Sequence, residues 1–565
     1  MVLSYNFTQL GVSIRSDFTW MIPVTIRSCK LASIRGGFPR ILKIFMEKLL
    51  FGPHGFMTAG VPLTIHGEIV VMKAHVRHLF SDGDGLRAGL DWKGHASFRP
   101  CFRHLNVLKL GSDLAHRHDS FVEISCANHS AFQLSTASDL EETVALLRVA
   151  RERFAAGRWS KEKCETLSKS LGFNDNEEGL LMDDRLRLAI KPLQVGTYDW
   201  VHTLFQDGVM NNAVFLLLEA CKQKAGLEMK ELEVFFRQAL SFPHMHHVKS
   251  SNLWRLFDEY HMGRSDAPER FKCSASDMLA LYALLRYFIE TRFREHPDRH
   301  ALGPELRSFA QTCKVADALL LMKRGSISLA SAAVRLRSAT SEHIRLQVAA
   351  YGEATLRPTN HWLFDISDLL SENADLEVFM DAFVVERLHL SVKMVAEPMQ
   401  NTTTYEKSVQ AGLLNNQLRR LREYNGGLVG KVPRASESIC LKCLENLLFF
   451  FEIVFGAQPI RYLFGLVVEI EDGVLYANGL DSRSMRAHAG DMILRGSECG
   501  ECCACALSNG MLYCVVTTMR LINAISSTSA RWAYTEDVAC WPADECFLPC
   551  AWQRCLDGDL VVISI

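Results

Sequence analysis

Four short stretches carry residue types that could do metal chemistry. "LFSDGDG" ends an apolar approach with Asp82 and Asp84. A carboxylate just past a strand is held by the strand and leaves its oxygens open to a cation, although Asp and Gly also make ordinary turns. Cys101 and His104 follow with a two-residue gap, the spacing that sets two ligands on one side of a tight loop in zinc knuckles. Such a pair is half a site. In "DWVH", Asp199 and His202 are three apart and share one face of a helical turn. Asp199 could bind a catalytic metal while His202 completes a structural one, or Asp199 is a helix cap followed by an ordinary histidine. In "FVVERLH", Glu386 stands beside Arg387, either as a site carboxylate or as half of a surface charge pair; Glu353 in "YGEATLRP" competes for the same role.

Other clusters are weaker. His244, His246 and His247 form a His-rich segment, and Cys440 and Cys443 a lone CxxC. "CGECCAC" places Cys499, Cys502, Cys503 and Cys505 in an apparent hairpin, dense enough for zinc but without a matching distant pair. The chain has no P-loop, no GxGxxG after a strand, no GxSxG and no HExxH, which removes the usual nucleotide, hydrolase and zincin readings.

The elements that must position these groups are legible from patterning. The 565 residues, 48 % hydrophobic and 22 % charged, describe a globular chain of several domains. A net charge of −2 means that any nucleic-acid surface would be local. No run approaches the ~18 apolar residues of a membrane span. Eighteen cysteines spread over this length suit reduced thiols, with metal, inside a cell. "PLTIHGEIVVMKAHVRHLF" reads as strands with a turn at His66 and Gly67, and residues 139–171 read as two helices, the second capped by Ser160. "LRLAIKPLQV" reads as a short strand. A long helical block follows, with Ser276 and Asp277 starting one of its helices, and "YNGGLVGKVPRASES" is linker-like. From about residue 460 the alternation is that of a β-rich module, with a Glu-Asp-Gly turn in "VEIEDGVLY".

Taken in order, these stretches resemble DDE transposases of the CACTA and plavaka kind. "FSDGDGLRAGLDWKGHASFRPCFRHLNV", "YDWVHTLFQDGV" and "YGEATLRPTNHWLFDISDLL" with "DAFVVERLHLSVKMVAEPMQ" are similar to the family's acid, D-x2-H and last catalytic segments, over roughly residues 35–410. The resemblance implies an RNase H-like α/β core interrupted by an all-helical insertion, with a C-terminal β-rich module. The implied layout is an N-terminal segment at 1–57, core at 58–205, insertion at 206–340, the rest of the core at 341–425, a linker or helix at 426–459 and the module at 460–565. It further implies Mg²⁺ or Mn²⁺ held by Asp82, Asp199 and Glu386 for two-metal phosphoryl transfer on DNA, and Zn²⁺ at Cys101, His104 and His202. The partner would be transposon-end DNA, with possible homo-oligomers, no membrane, and a nuclear or cytoplasmic address. The usual second cysteine of the pair is His104 here, and Asp84 could replace Asp82. The alternative function is a non-enzymatic interaction scaffold of a helical domain and a β-module, with zinc.

Overall fold

A computed structural model describes residues 2–8, 20–65, 67–113, 118–239, 253–257, 271–293, 300–376, 378–400, 403–425, 463–470, 474–481, 486–508, 511–526, 528–549, 551–555 and 557–563. His66, His244, His246, His247, Cys440, Cys443, the linker-like stretch after Asn425 and the Glu-Asp-Gly turn lie outside them. The chain is mixed α/β and divides into two units, Met1–Val209 with Leu329–Leu413, and Met210–Ser328 with Leu414–Ile565.

In the first unit, Val61–Ile65 and Glu68–Met72 form an antiparallel hairpin. Strand β1, Leu79–Ser81, then pairs in parallel with β2, Gly196–Tyr198, in the register Leu79 to Gly196, Phe80 to Thr197 and Ser81 to Tyr198. Each strand runs straight into a helix: α1, Gly83–Gly89, after β1, and α2, Trp200–Phe205, after β2. Between them lie the two expected helices, Ala137–Ala155 with a Thr136–Asp139 capping box and Lys161–Leu171 capped by Ser160.

The stretch expected as a strand at 186–195 is helical instead, over Asp184–Ile190 and Pro192–Val195. Its apolar alternation is misleading because Arg187 is an inward residue. The guanidinium is buried and bonds Glu141, Asp184 and the Leu181 carbonyl. Asp183 caps the first of these helices through the Leu186 N–H.

The later length of this unit includes α3, Leu329–Tyr351; α4, Pro358–Glu372; and α5, Ala382–Ala396. Helix α4 is buried along most of its length, from Asn360 to Leu370.

The second unit carries long helices, including Ala275–Arg292 and Gly303–Arg324. The first is capped by Ser274 rather than Ser276, since Ser274 accepts the Asp277 N–H. The unit also holds a nine-stranded sheet. Its centre is the antiparallel run β3, Glu498–Ser508; β4, Met511–Ala524; and β5, Ser529–Pro542. No helix among the described residues is long and apolar enough to cross a membrane.

Candidate metal centre and acid cluster

Parallel pairing of β1 and β2 sets Asp82 and Asp199 at equivalent positions, one residue beyond each strand end. The Asp199 N–H donates to the Ser81 carbonyl at 3.0 Å, which ties the two ends together. Both carboxylates cap the helix that follows. Asp82 Oδ1 accepts the Gly85 N–H at 2.6 Å. Asp199 accepts the Val201 N–H at 3.2 Å on one oxygen and the His202 N–H at 2.9 Å on the other.

The glycines of "SDGDG" serve close approach. A Cβ on Gly83 would sit 2.9 Å from the Trp362 indole, and one on Gly85 would sit 1.9 Å from Ser81 Oγ and 2.9 Å from Asp82 Oδ1.

Asp199 is almost fully buried, at 1 % exposure, and its oxygens are heavily used. Besides its two cap bonds, Oδ1 accepts the Ala382 N–H at the start of α5, at 3.0 Å, and Oδ2 contacts His202 Nδ1. Glu386 lies one turn into α5 with an exposed side chain. Burial lowers the basicity of His202, but the hydrogen bond to Asp199 and the charges of Asp199, Asp82 and Glu386 outweigh it and raise the pKa. His202 thus feels all three acids. Asp84 is exposed and pairs with Arg87 at 3.1 Å, and Glu353 is exposed in a short turn at Glu353–Thr355.

Cys101 and His104 do come together, but not with His202. Their partners are His361 and Asp365, one helical turn apart on α4. His104 Nδ1 lies 3.0 Å from His361 Nε2 and 2.9 Å from Asp365 Oδ1. Cys101 Sγ lies 3.2 Å from Asp365 Oδ2 and 3.9 Å from His104 Nδ1. All four residues are buried, and these Cys, His and Asp groups could hold a metal ion.

Asp368, a further turn along α4, bonds the outer face of this cluster. Its Oδ1 accepts His129 Nε2 at 2.8 Å and an Arg337 N–H at 2.9 Å, and its Oδ2 lies 3.2 Å from His104 Nε2. A histidine that presents one nitrogen to a metal and gives the other N–H to a carboxylate has its tautomer and ring orientation fixed. Burial alone would hold His104 neutral, yet Asp365, Asp368 and Cys101 raise it to about 12. Burial and the Asp365 charge push the Cys101 thiol up to about 11, and burial brings His361 down to about 3. Beside the cluster opens a groove lined by Asn128, His129, Arg337, Ser338 and Arg345.

Helix α4 connects the two clusters. Trp362, adjacent to His361, stacks on Tyr198 at 4.8 Å and donates to the Pro100 carbonyl at 3.0 Å. The helix therefore presents His361 and Asp365 to the Cys/His/Asp cluster and one aromatic support beneath the strand ends that carry Asp82 and Asp199. Comparison with family models, with curated proteins and with solved structures found no match to this chain.

Sequence reasoning missed His361, Asp365, Asp368 and His129. The signal was present in "HWLFDISD", where His361, Asp365 and Asp368 recur at i, i+4 and i+7 and must share a helix face.

Proposed function

We propose that this chain is a transposon-derived DDE-type nuclease or transposase, acting by metal-dependent phosphoryl transfer on DNA through Asp82, Asp199 and Glu386. The observation that carries this reading is the in-register parallel pair, which sets Asp82 and Asp199 side by side at two strand ends. The α5 amide bonded to Asp199 supports it by bringing the helix of Glu386 to the same place. An RNase H-like core is the fold that this reading implies.

Divalent ions, when bound, would activate a water or 3′-hydroxyl and steady the leaving oxygen. The residues present fit such ions unequally. Asp82 uses one oxygen for its cap, and Glu386 is exposed, so both have donor capacity toward a hard cation. Asp199 accepts two contacts on each oxygen, so it becomes a ligand only when the His202 ring leaves Oδ2. His202 thus belongs with the acids, as the hydrogen-bond partner of Asp199.

Zinc is the proposed occupant of Cys101, His104, His361 and Asp365. Bonds of 2.0–2.3 Å in a tetrahedron give donor separations of about 3.3–3.8 Å, close to the 3.0–3.9 Å found for the His104–His361 and Cys101–His104 pairs. Its role is to fix α4, and with it the support under the acids.

The test is Mg²⁺- or Mn²⁺-dependent cleavage and strand transfer on labelled DNA, comparing the full chain with Asp82→Asn and Glu386→Gln. Activity lost in both folded variants supports the reading. Activity that neither variant reduces removes the acids from the chemistry, and an inactive parent with intact fold and zinc favours the scaffold reading.

A further inference from the structure

His104 turns its Nδ1 toward His361 and Asp365, and its Nε2 toward a different set of donors. On that outer side stand His129 and Asp368. The three residues His104, His129 and Asp368 each bring one ligand atom within 4.8 Å of the other two. His104 Nε2 lies 3.2 Å from Asp368 Oδ2. Zinc bonds of about 2.0–2.1 Å to nitrogen or oxygen in a tetrahedron give donor separations of about 3.3–3.4 Å. This pair therefore already spans a coordination edge.

The two oxygens of Asp368 are used unequally. Oδ1 accepts His129 Nε2 at 2.8 Å and an Arg337 N–H at 2.9 Å. Oδ2 is buried and accepts no aligned hydrogen bond. A buried carboxylate oxygen without a partner costs free energy, and a cation between Oδ2 and His104 Nε2 removes that cost. Arg337 then stays on Oδ1, the kind of outer contact that orients a carboxylate ligand.

The donors are held in place. His129 opens the short turn His129–Ala131, where Asn128 accepts the Ser130 N–H at 3.2 Å. Phe132 packs on both imidazoles, 5.1 Å from the His104 ring and 5.9 Å from the His129 ring. Asp368 lies three residues beyond Asp365, so α4 carries ligands for both sides of His104. His104 and Asp368 are buried, whereas the His129 side chain is 27 % exposed and lines the groove with Arg337 and Arg345 of α3.

We propose that His104, His129 and Asp368 hold a second divalent ion, zinc, whose fourth position opens to the groove and takes water or a small anion. Three protein ligands with one exchangeable ligand is the pattern of reactive zinc sites, in contrast to the closed inner cluster. With both positions filled, His104 bridges them, Nδ1 on the inner ion and Nε2 on the outer, and the Nε2 proton passes to solvent. His129 Nε2 turns from Oδ1 to the ion, and that imidazole carries its proton on Nδ1. The bridge, though not the outer ion itself, rests on the zinc proposed for the inner cluster.

The test loads the reduced, chelator-stripped full chain with Co²⁺ and counts bound metal after desalting. His129→Ala should bind one ion fewer than the parent and keep the thiolate-to-cobalt absorption that Cys101 gives the inner ion. In the unsubstituted chain, thiocyanate should shift the cobalt d–d bands and leave the thiolate band alone, a reading that needs no variant to fold. An unchanged metal count in His129→Ala overturns the proposal. So does a loss that takes the thiolate band with it, or a spectrum indifferent to thiocyanate. His361→Ala separates the two sites, since it should remove the inner ion and leave the thiocyanate response. If His361→Ala changes nothing while His129→Ala still loses an ion, the outer site stands and the inner zinc falls.

Discussion

The Ala382 N–H donates to Asp199 Oδ1 at 3.0 Å, joining residues 183 positions apart. With His202 and two cap bonds on the same carboxylate, Asp199 is a structural junction whatever chemistry it serves. Asp199→Ala should therefore cost about 3–5 kcal/mol, because it orphans a partly buried imidazole and several buried amides. Glu386→Gln, at an exposed position, should stay within about 0.5 kcal/mol of the parent. Urea denaturation of both variants checks this. Equal losses would mean that Asp199 is not the junction described.

Removing the zinc proposed at the α4 cluster should be felt as a loss of fold stability. His361→Ala and Asp365→Ala should each lower the zinc content by one ion per chain, read by elemental analysis, and depress Tm. Without the ion, Cys101, His104 and the remaining ligand are buried donors without their cation, a cost of several kcal/mol. Zinc content that both variants leave unchanged would exclude this cluster.

Gly85→Ala sets two effects against each other. Alanine gains about 1 kcal/mol of helix propensity over glycine. The new Cβ, however, meets Ser81 Oγ at 1.9 Å and Asp82 Oδ1 at 2.9 Å, and displaces the Asp82 cap. A net destabilisation of about 1–2 kcal/mol is expected, since losing a cap and overpacking together exceed the propensity gain. A stabilised variant would show that the turn tolerates a side chain.

Asp91 gives a pH signature away from both clusters. Burial raises its pKa from 3.8 to about 7, against the opposing hydrogen bond from Asn176. One oxygen accepts Asn176 Nδ2 at 2.9 Å, and the other has no partner. The folded pKa lies above the unfolded one, so the contribution is fully present below about pH 3.8. It is lost progressively as pH rises to about 7. Asp91→Asn should be more stable than the parent at pH 8, by up to about 4 kcal/mol at 1.36 kcal/mol per unit, and the gap should close at pH 4. Asparagine also tolerates the local φ of 50°. Melting curves across this range decide it.

Much of the architecture was readable because burial imposes periodicity. The helix at Lys161–Leu171 declares its Ser160 cap, the one at Ala137–Ala155 shows its acidic first turn but not its Thr136 cap, and the strands of the tail declare their alternation. "LRLAI" misled because a buried arginine occupies the inward position that apolar counting assigns to leucine. The spacing of Cys101 and His104 gave half of a cluster that could hold a metal ion. The other half, His361, lies 257 positions from His104, and local spacing cannot say which distant face meets it. His202 was assigned there through the D-x2-H resemblance, whereas Asp199, three residues before it, is its partner in space.

The first unit is assembled from two separated lengths of chain, Met1–Val209 and Leu329–Leu413. During synthesis, β1 waits for β2, and both wait for the α4 aromatic and the α5 amide. At ~5–20 residues per second the nascent N-terminal part spends roughly ten seconds or more with these surfaces uncovered. The unit therefore closes late, and a ribosome that stalls before α5 would release a chain whose strand ends and ligand-bearing loop have nothing to dock against. Chaperone dependence would accordingly track the arrival of residues 358–396, more than the completion of any earlier helix.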